Sequence, residues 1–185
     1  MPSINFSISA RLVNFPAEMF NDTIFFLEEA KKYDVSEEND WLRWRYLRAS
    51  IIYSYASLES YVNLLIADTL RGVYGLRQAA EEFQKDRSIR LYAKIDKIYP
   101  NIVGKAISPD WSSYSNFGLI NEIRNRLSHF KGGAAIYNDS DPYGINVTNA
   151  EKGVQMVRIV VKILKGLTNE AYPPWVDQQK SKIIR

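Results

Sequence analysis

His129 is the only histidine in this chain of 185 residues. Its imidazole is therefore the only side chain whose unperturbed pKa suits proton transfer near neutral pH. Arg124 and Asn125 precede it in the same segment, by five and four residues. A guanidinium suits a phosphate that gains negative charge, and an amide can orient an imidazole or donate to a phosphate oxygen. These residue types together indicate acid–base chemistry on a phosphodiester.

A helical wheel of residues 114–130 separates an apolar stripe from a polar row. The stripe should face the core of the chain, and it contains Phe117, Ile120, Ile123, Leu127 and Phe130. His129 falls nearly opposite, with Asn125 one turn before it and with Glu122 and Gly118 continuing the row. Arg124 lies at the edge of the stripe, and its long stem can carry the guanidinium toward Asn125.

Two other interpretations of His129 have to be weighed. A histidine in a helix is often a satisfied core side chain, but the wheel turns this ring away from the core. An ordinary exposed histidine stays open, because short motifs also match by chance. A nucleophilic role for Ser128 is disfavoured, because adjacent residues of a helix do not face each other.

The polar row suggests how the site could be completed. The small residue Gly118 would let a second helix approach closely, and most soluble oligomers are two-fold dimers in which equivalent surfaces meet. Two copies of His129 and Arg124 would then converge in one cleft. One histidine could deprotonate a ribose 2′-hydroxyl while the other protonates the departing 5′-oxygen. If this face forms the contact, the chain would be a homodimer, joined through the helix with Gly118, Glu122, Asn125 and His129, that could cleave single-stranded RNA without a cofactor.

Further polar residues are candidates for support of this site. Glu59 and Asn63 lie four apart, and they are interpreted either as partners of Arg124 or as a solvated intrahelical pair. Additional candidate contacts to the substrate are Asn121, Ser128 and Lys131. Arg126 could also hold a phosphate, although a solvated charged face explains it somewhat better. No histidine stands at ligand spacing from an acidic pair, so no metal site is predicted.

Mostly helical elements must position these side chains. Alternating apolar and polar residues from Ile4 to Leu12 predict a short N-terminal strand. Apolar spacing, caps and breakers predict helices over 16–33, 40–70, 79–85, 88–99, 114–130 and 149–167. Pro100 should end the helix before it, and residues 101–113 should be a loop with an exposed Trp111. Asn149 should cap the final helix.

The predicted fold is an all-α, four- to five-helix up-down bundle that forms a single domain over residues 1–185. Residues 1–35 would be an N-terminal extension, 40–167 the core bundle and 170–185 a tail that is extended or partly disordered. Residues 134–148 contain a strong turn signal, so a loop or small hairpin is expected before the last helix.

Composition excludes several classes of protein. The chain is 46% hydrophobic and 24% charged, which is typical of a globular protein rather than a disordered one. It has no cysteine, which excludes disulfides and thiolate chemistry. No signal peptide and no membrane-spanning stretch is predicted, and a cytoplasmic location fits. The net charge of +3 permits a polyanionic partner without requiring one.

The arrangement Arg124-Asn125-x-x-x-His129 resembles the signature of the HEPN superfamily of helical domains. The run from Ala56 to Asn63 is similar to the long second helix of that family, and the resemblance covers roughly residues 40–167. It implies a homodimer with facing motifs and ribonuclease activity in toxin–antitoxin, phage-defence or CRISPR-associated settings, with an antitoxin protein as a further partner. Some relatives have lost catalysis, so a non-catalytic interaction or regulatory module is the alternative. One toxin subclass has a tyrosine where this chain has Lys131, so the modification of that tyrosine is not expected here.

Overall fold

A computed structural model describes residues 14–34, 36, 38–72, 74–86, 88–128 and 141–182. All regular secondary structure in these residues is helical, which confirms the all-α class. The elements are α1 (Phe15–Ala30), α2 (Asp40–Gly72), α3 (Arg77–Lys85), α4 (Leu91–Ala93), a π-helical turn (Lys94–Ile98), α5 (Tyr99–Val103), α6 (Trp111–Tyr114), α7 (Phe117–Ser128), α8 (Val147–Thr168) and a 3₁₀ turn (Pro174–Asp177). The predicted N-terminal strand lies outside the described residues. None of the described helices is both long and apolar enough to cross a membrane.

The first helix packs along the long second helix. Asn14 caps α1 by accepting a hydrogen bond from the backbone of Ala17 at 3.3 Å. Two serine hydroxyls of α2 donate hydrogen bonds to backbone carbonyls of α1. Ser50 donates to the carbonyl of Thr23 at 2.9 Å, and Ser57 donates to that of Pro16 at 2.8 Å. Because serine is small, the two helices can approach closely without leaving buried polar groups unpaired. Apolar side chains of α1 therefore join the central core, among them Phe20, Ile24 and Leu27.

The last helix packs against both α2 and α1. Gly153 of α8 faces Ser54 of α2 so closely that a Cβ at position 153 would stand 2.7 Å from the serine Oγ. The cap of α8 is Asn146, which accepts from the backbone of Asn149 at 2.8 Å, and not Asn149 as predicted. The Asn149 amide instead donates to the carbonyl of Gly144 at 2.8 Å and so fixes the turn before the helix.

The region around Pro100 corrects a prediction. The chain remains helical through it, because the π-helical turn Lys94–Ile98 leads directly into α5. Pro100 stands in the first turn of α5, where a missing backbone N–H costs little. The segment ends instead at Gly104, whose positive φ of 68° suits a helix C-terminus.

The predicted loop over residues 101–113 and the helix start at Tyr114 are also corrected. Trp111 begins the short helix α6 and is fully buried, not exposed. Its indole Nε1 donates to Asp96 Oδ1 at 3.0 Å, which satisfies the one polar atom of the ring. Asn116 adopts a left-handed conformation with a φ of 63°, which interrupts the helix between α6 and α7.

Two further predictions concern the ends of α8. Of the predicted loop or hairpin over 134–148, residues 141–148 are described: 141–146 form a turn, and Val147 and Thr148 already belong to α8. The predicted extended tail instead contains the 3₁₀ turn Pro174–Asp177, with Trp175 and Val176 buried. Trp175 packs against Phe20 at a ring-centroid distance of 5.3 Å. This apolar contact, which is long-range in sequence, orders a segment that composition alone describes as a tail.

Candidate functional site

The helix α7 is held by its apolar stripe. The side chains of Phe117, Ile120 and Ile123 are buried in the core, as the helical wheel predicts. This anchoring fixes the rotation of α7 about its axis. The polar residues Asn121 and Asn125 consequently line a groove instead of entering the core.

The groove has a volume of about 710 Å³. Gly118, Asn121, Arg124 and Asn125 line it from α7, and Tyr55 and Glu59 line it from α2. Residues 88–93, Ser112 and Phe117 complete its walls. The volume lies in the range of sites for small ligands, so the groove can hold part of a substrate.

Arg124 is fixed by groups on both helices. Its Nη1 donates to Asn125 Oδ1 at 3.2 Å, as the wheel predicts. Its guanidinium carbon lies 5.1 Å from the centroid of the Tyr55 ring, which is a cation–π contact between α7 and α2. The guanidinium is thus oriented along one wall of the groove.

The ionisation of Tyr55 reports the charges around it. Burial raises the pKa of its phenol, the negative charge of Glu59 raises it further, and the positive charge of Arg124 partly offsets both. Glu59 and Arg124 therefore act on the same phenol from two helices. Tyr55 was missed as a site residue in the sequence, although its position one helical turn before Glu59 points to it.

Glu59 and Asn63 have different neighbours in the structure. Asn63 Oδ1 accepts a hydrogen bond from the buried Lys94 Nζ at 2.8 Å. Asn63 and Lys94 line a second pocket, of about 410 Å³, beside the groove. Glu59 lines both cavities, so the structure brings Glu59 into the neighbourhood of Arg124 and places Asn63 with Lys94.

The outer face of α7 carries Glu122, Arg126 and Gly118. Arg126 Nε pairs with Glu122 Oε1 at 3.2 Å, and its guanidinium lies 4.8 Å from the ring centroid of Tyr143. The intrachain contacts explain Arg126 without a phosphate. A Cβ built at Gly118 meets no other atom within 4 Å, so nothing in the described fold requires glycine there.

Three predicted residues lie at or beyond the described end of α7. Ser128 is its last residue, and only its backbone is described. His129 and Lys131 lie outside the described residues, so their predicted roles stay predictions. Within the described part of the chain, no group of three His, Cys, Asp or Glu side chains could hold a metal ion.

The comparisons with known proteins find nothing similar. No protein-family model matches the chain, and neither a curated protein nor a solved structure shows significant similarity to it.

Proposed function

We propose that the chain is a HEPN-type endoribonuclease, an up-down helical bundle over residues 40–167 that cleaves single-stranded RNA as a homodimer. One observation carries the proposal: Arg124 and Asn125 bond to each other and line one groove, on the helix that leads to the only histidine of the sequence. The spacing of Arg124, Asn125 and His129 and their resemblance to the family signature support it.

The proposed chemistry needs no group besides the side chains and the RNA. His129 of one copy takes the proton of a ribose 2′-hydroxyl, and the 2′-oxygen attacks the adjacent phosphorus. The bond from phosphorus to the 5′-oxygen breaks, and His129 of the other copy donates a proton to that oxygen. The products are a 2′,3′-cyclic phosphate and a 5′-hydroxyl. Each proton transfer contributes about 10²–10⁴-fold to the rate.

Arg124 has a separate role in this scheme. The phosphate gains negative charge as the 2′-oxygen attacks, and a fixed guanidinium stabilises that charge without reorganising. The contacts of Arg124 with Asn125 and Tyr55 supply the fixation. Glu59 lies in the same groove, where a carboxylate can help to orient the guanidinium.

The test is cleavage of single-stranded RNA in EDTA by the purified protein, with the product ends identified. We expect 2′,3′-cyclic phosphate ends, and we expect single-stranded DNA to be spared because it lacks the attacking hydroxyl. His129→Ala and Arg124→Ala should each reduce the rate by at least about 10²-fold. Arg77→Ala is the matched control, because Arg77 is an exposed arginine paired with Glu81 on α3.

Equal cleavage by the wild type and His129→Ala would exclude this site. Absence of any cleavage, together with an intact dimer, would favour the alternative of a non-catalytic interaction or regulatory module. Both variants must keep the melting temperature of the wild type for the comparison to count. Loss of activity in Arg77→Ala as well would point to general damage instead of chemistry at the groove.

A further inference from the structure

We infer that Tyr92 is a stacking platform for an unpaired nucleobase of the strand bound in the groove of Arg124. This inference rests on the proposed function for the identity of the ligand, and it adds a base subsite to the phosphate chemistry. It is carried by the exposure of Tyr92, by the way its ring is held, and by the wall that connects it to Arg124.

The ring of Tyr92 is fixed and yet open to solvent. Tyr92 is 44% exposed. It stacks on Trp111 with a centroid distance of 5.5 Å and an interplanar angle of 27°. Trp111 is fully buried and is anchored through its hydrogen bond to Asp96. A large aromatic surface that is already immobilised binds a ligand ring with little further loss of side-chain entropy.

A continuous row of rings connects this platform to the arginine. Tyr92 lies 6.2 Å from Phe117, Phe117 lies 6.1 Å from Tyr55, and the Arg124 guanidinium lies 5.1 Å from Tyr55. All of these residues line the same groove, together with Arg90. Phe117 and Tyr55 are buried, so Tyr92 is the exposed ring of this row, and it shares the groove with two cations. An exposed aromatic face beside cations is the combination with which proteins bind single strands, through base stacking and phosphate attraction.

The chemistry of the groove favours a nucleic acid strand over an apolar ligand. Its walls combine two arginines, Arg90 and Arg124, with one carboxylate, Glu59, and with the amides Asn121 and Asn125. A base on Tyr92 would place the adjoining backbone toward the arginines. Stacking on a tyrosine face does not discriminate among bases, so we expect broad tolerance of sequence at this position.

The experiment measures binding with the full-length His129→Ala protein, so that RNA stays intact. Fluorescence anisotropy with a labelled single-stranded RNA of about twelve nucleotides gives the Kd. Tyr92→Ala should weaken binding by about 5- to 150-fold, the range for loss of one stacked base. Tyr92→Phe should retain binding, and Tyr92→Leu, which keeps apolar bulk beside Trp111, should not. Tyr114→Ala is the matched control, since Tyr114 is 50% exposed on α6 but does not line the groove.

An abasic scan of the oligonucleotide locates the partner of Tyr92. One position should exist at which removal of the base weakens binding to the parent protein, His129→Ala, but not to the same protein with Tyr92→Ala added. Equal affinity of Tyr92→Leu and Tyr92→Phe, or absence of such a coupled position, would overturn the inference. So would a lack of measurable binding to the parent protein.

The inference and the proposed function fail separately. Stacking needs no 2′-hydroxyl, so single-stranded DNA should show the same loss on Tyr92→Leu. Base coupling without any RNA cleavage by the wild type would support the subsite and reject the nuclease. RNA cleavage that is unchanged in rate and affinity by Tyr92→Leu would support the nuclease and reject the subsite.

Discussion

The guanidinium of Arg124 lies over the ring of Tyr55, with 5.1 Å between its central carbon and the ring centroid. This contact joins α7 to α2 beside the groove, and it is made by the face of the ring. A phenylalanine should therefore serve as well as the tyrosine.

Tyr55→Leu should lower the rate of RNA cleavage, whereas Tyr55→Phe should keep it. Loss of a cation–π contact of this kind costs about 1–2 kcal/mol, so we expect roughly a tenfold decrease. In the Arg124→Ala background the same substitution should have no further effect, because it acts through the arginine. Additive losses in the double variant would show that Tyr55 contributes in another way, and melting temperatures should accompany each rate.

Gly118→Gln should prevent dimer formation without destabilising the folded chain. A side chain at position 118 meets open space in the described fold, so the melting temperature should stay within a few degrees of the wild type. If α7 forms the dimer contact, the new side chain will block its close approach to the second copy. Sedimentation velocity should then show a monomer. Because Gly118 also lines the groove, the oligomeric state and not the cleavage rate is the deciding measurement.

Gly166→Gln on α8 is the control for this experiment, since its Cβ also meets nothing within 4 Å. It should stay dimeric and active. A Gly118→Gln protein that remains dimeric would place the contact on another face of the molecule.

The long amphipathic helices could be predicted from the sequence, and the local breaks could not. Helices predicted over 40–70 and 149–167 are α2 (Asp40–Gly72) and α8 (Val147–Thr168), because their apolar spacing persists over many turns. The predicted helix end at Pro100 and the predicted exposed loop position of Trp111 were wrong. A proline in the first turn of a helix has the same local sequence as one that ends a helix, and only tertiary packing decides.

The site was predicted in part for the same reason. Periodicity fixes which face of α7 is buried, and so it places Asn125 on the polar row and Arg124 at the edge of the stripe. The length of the arginine stem then allows the observed bond to Asn125. Periodicity carries no information on contacts between helices. Hence the approach of Tyr55 to Arg124 and the pairing of Asn63 with Lys94 came only from the structure.

Tyr61→Phe should leave the protein as stable as before or make it slightly more stable at neutral pH. The Tyr61 hydroxyl is buried and has no hydrogen-bond partner among the described residues. Removal of an unsatisfied hydroxyl contributes roughly 0–1 kcal/mol of stability. Ser50→Ala is the contrast, because the buried Ser50 hydroxyl donates to the carbonyl of Thr23 at 2.9 Å, and the loss of this bond should cost about 1 kcal/mol.

Alkaline pH provides a second check on Tyr61. Burial raises the pKa of its phenol above the ordinary value, and the nearby Tyr99 and Glu170 raise this pKa by smaller amounts. A raised pKa in the folded state gives stability that is present below about pH 10 and is lost as pH rises further. Urea denaturation at several pH values from 8 to 11 should show a shallower loss for Tyr61→Phe than for the wild type. Parallel curves would contradict this assignment.

Trp175→Ala should destabilise the protein by about 3–5 kcal/mol, as expected for truncation of a buried tryptophan. Its ring contacts Phe20 at 5.3 Å and Tyr61 at 5.8 Å, so the 3₁₀ turn is part of the core. Tyr172→Ala, which removes an exposed ring nearby in sequence, should cost far less. Equal unfolding free energies for the two variants, measured with urea, would show that the segment after α8 is dispensable.

Gly153→Ala should destabilise the protein by about 1–3 kcal/mol, as overpacking of a core does. The added methyl would stand 2.7 Å from Ser54 Oγ and 3.3 Å from Ser54 Cβ. Either the serine must leave the rotamer in which it donates to the carbonyl of Ile51, or α8 must shift away from α2. Ser54→Ala in the same protein should recover part of the loss, because the closer of the two clashing atoms is removed. Gly166→Ala, on the same helix in open space, should instead be neutral or stabilising by roughly 0.5–1 kcal/mol, the helix preference of alanine over glycine. Equal unfolding free energies for the two alanine variants would mean that α2 and α8 do not make this close contact.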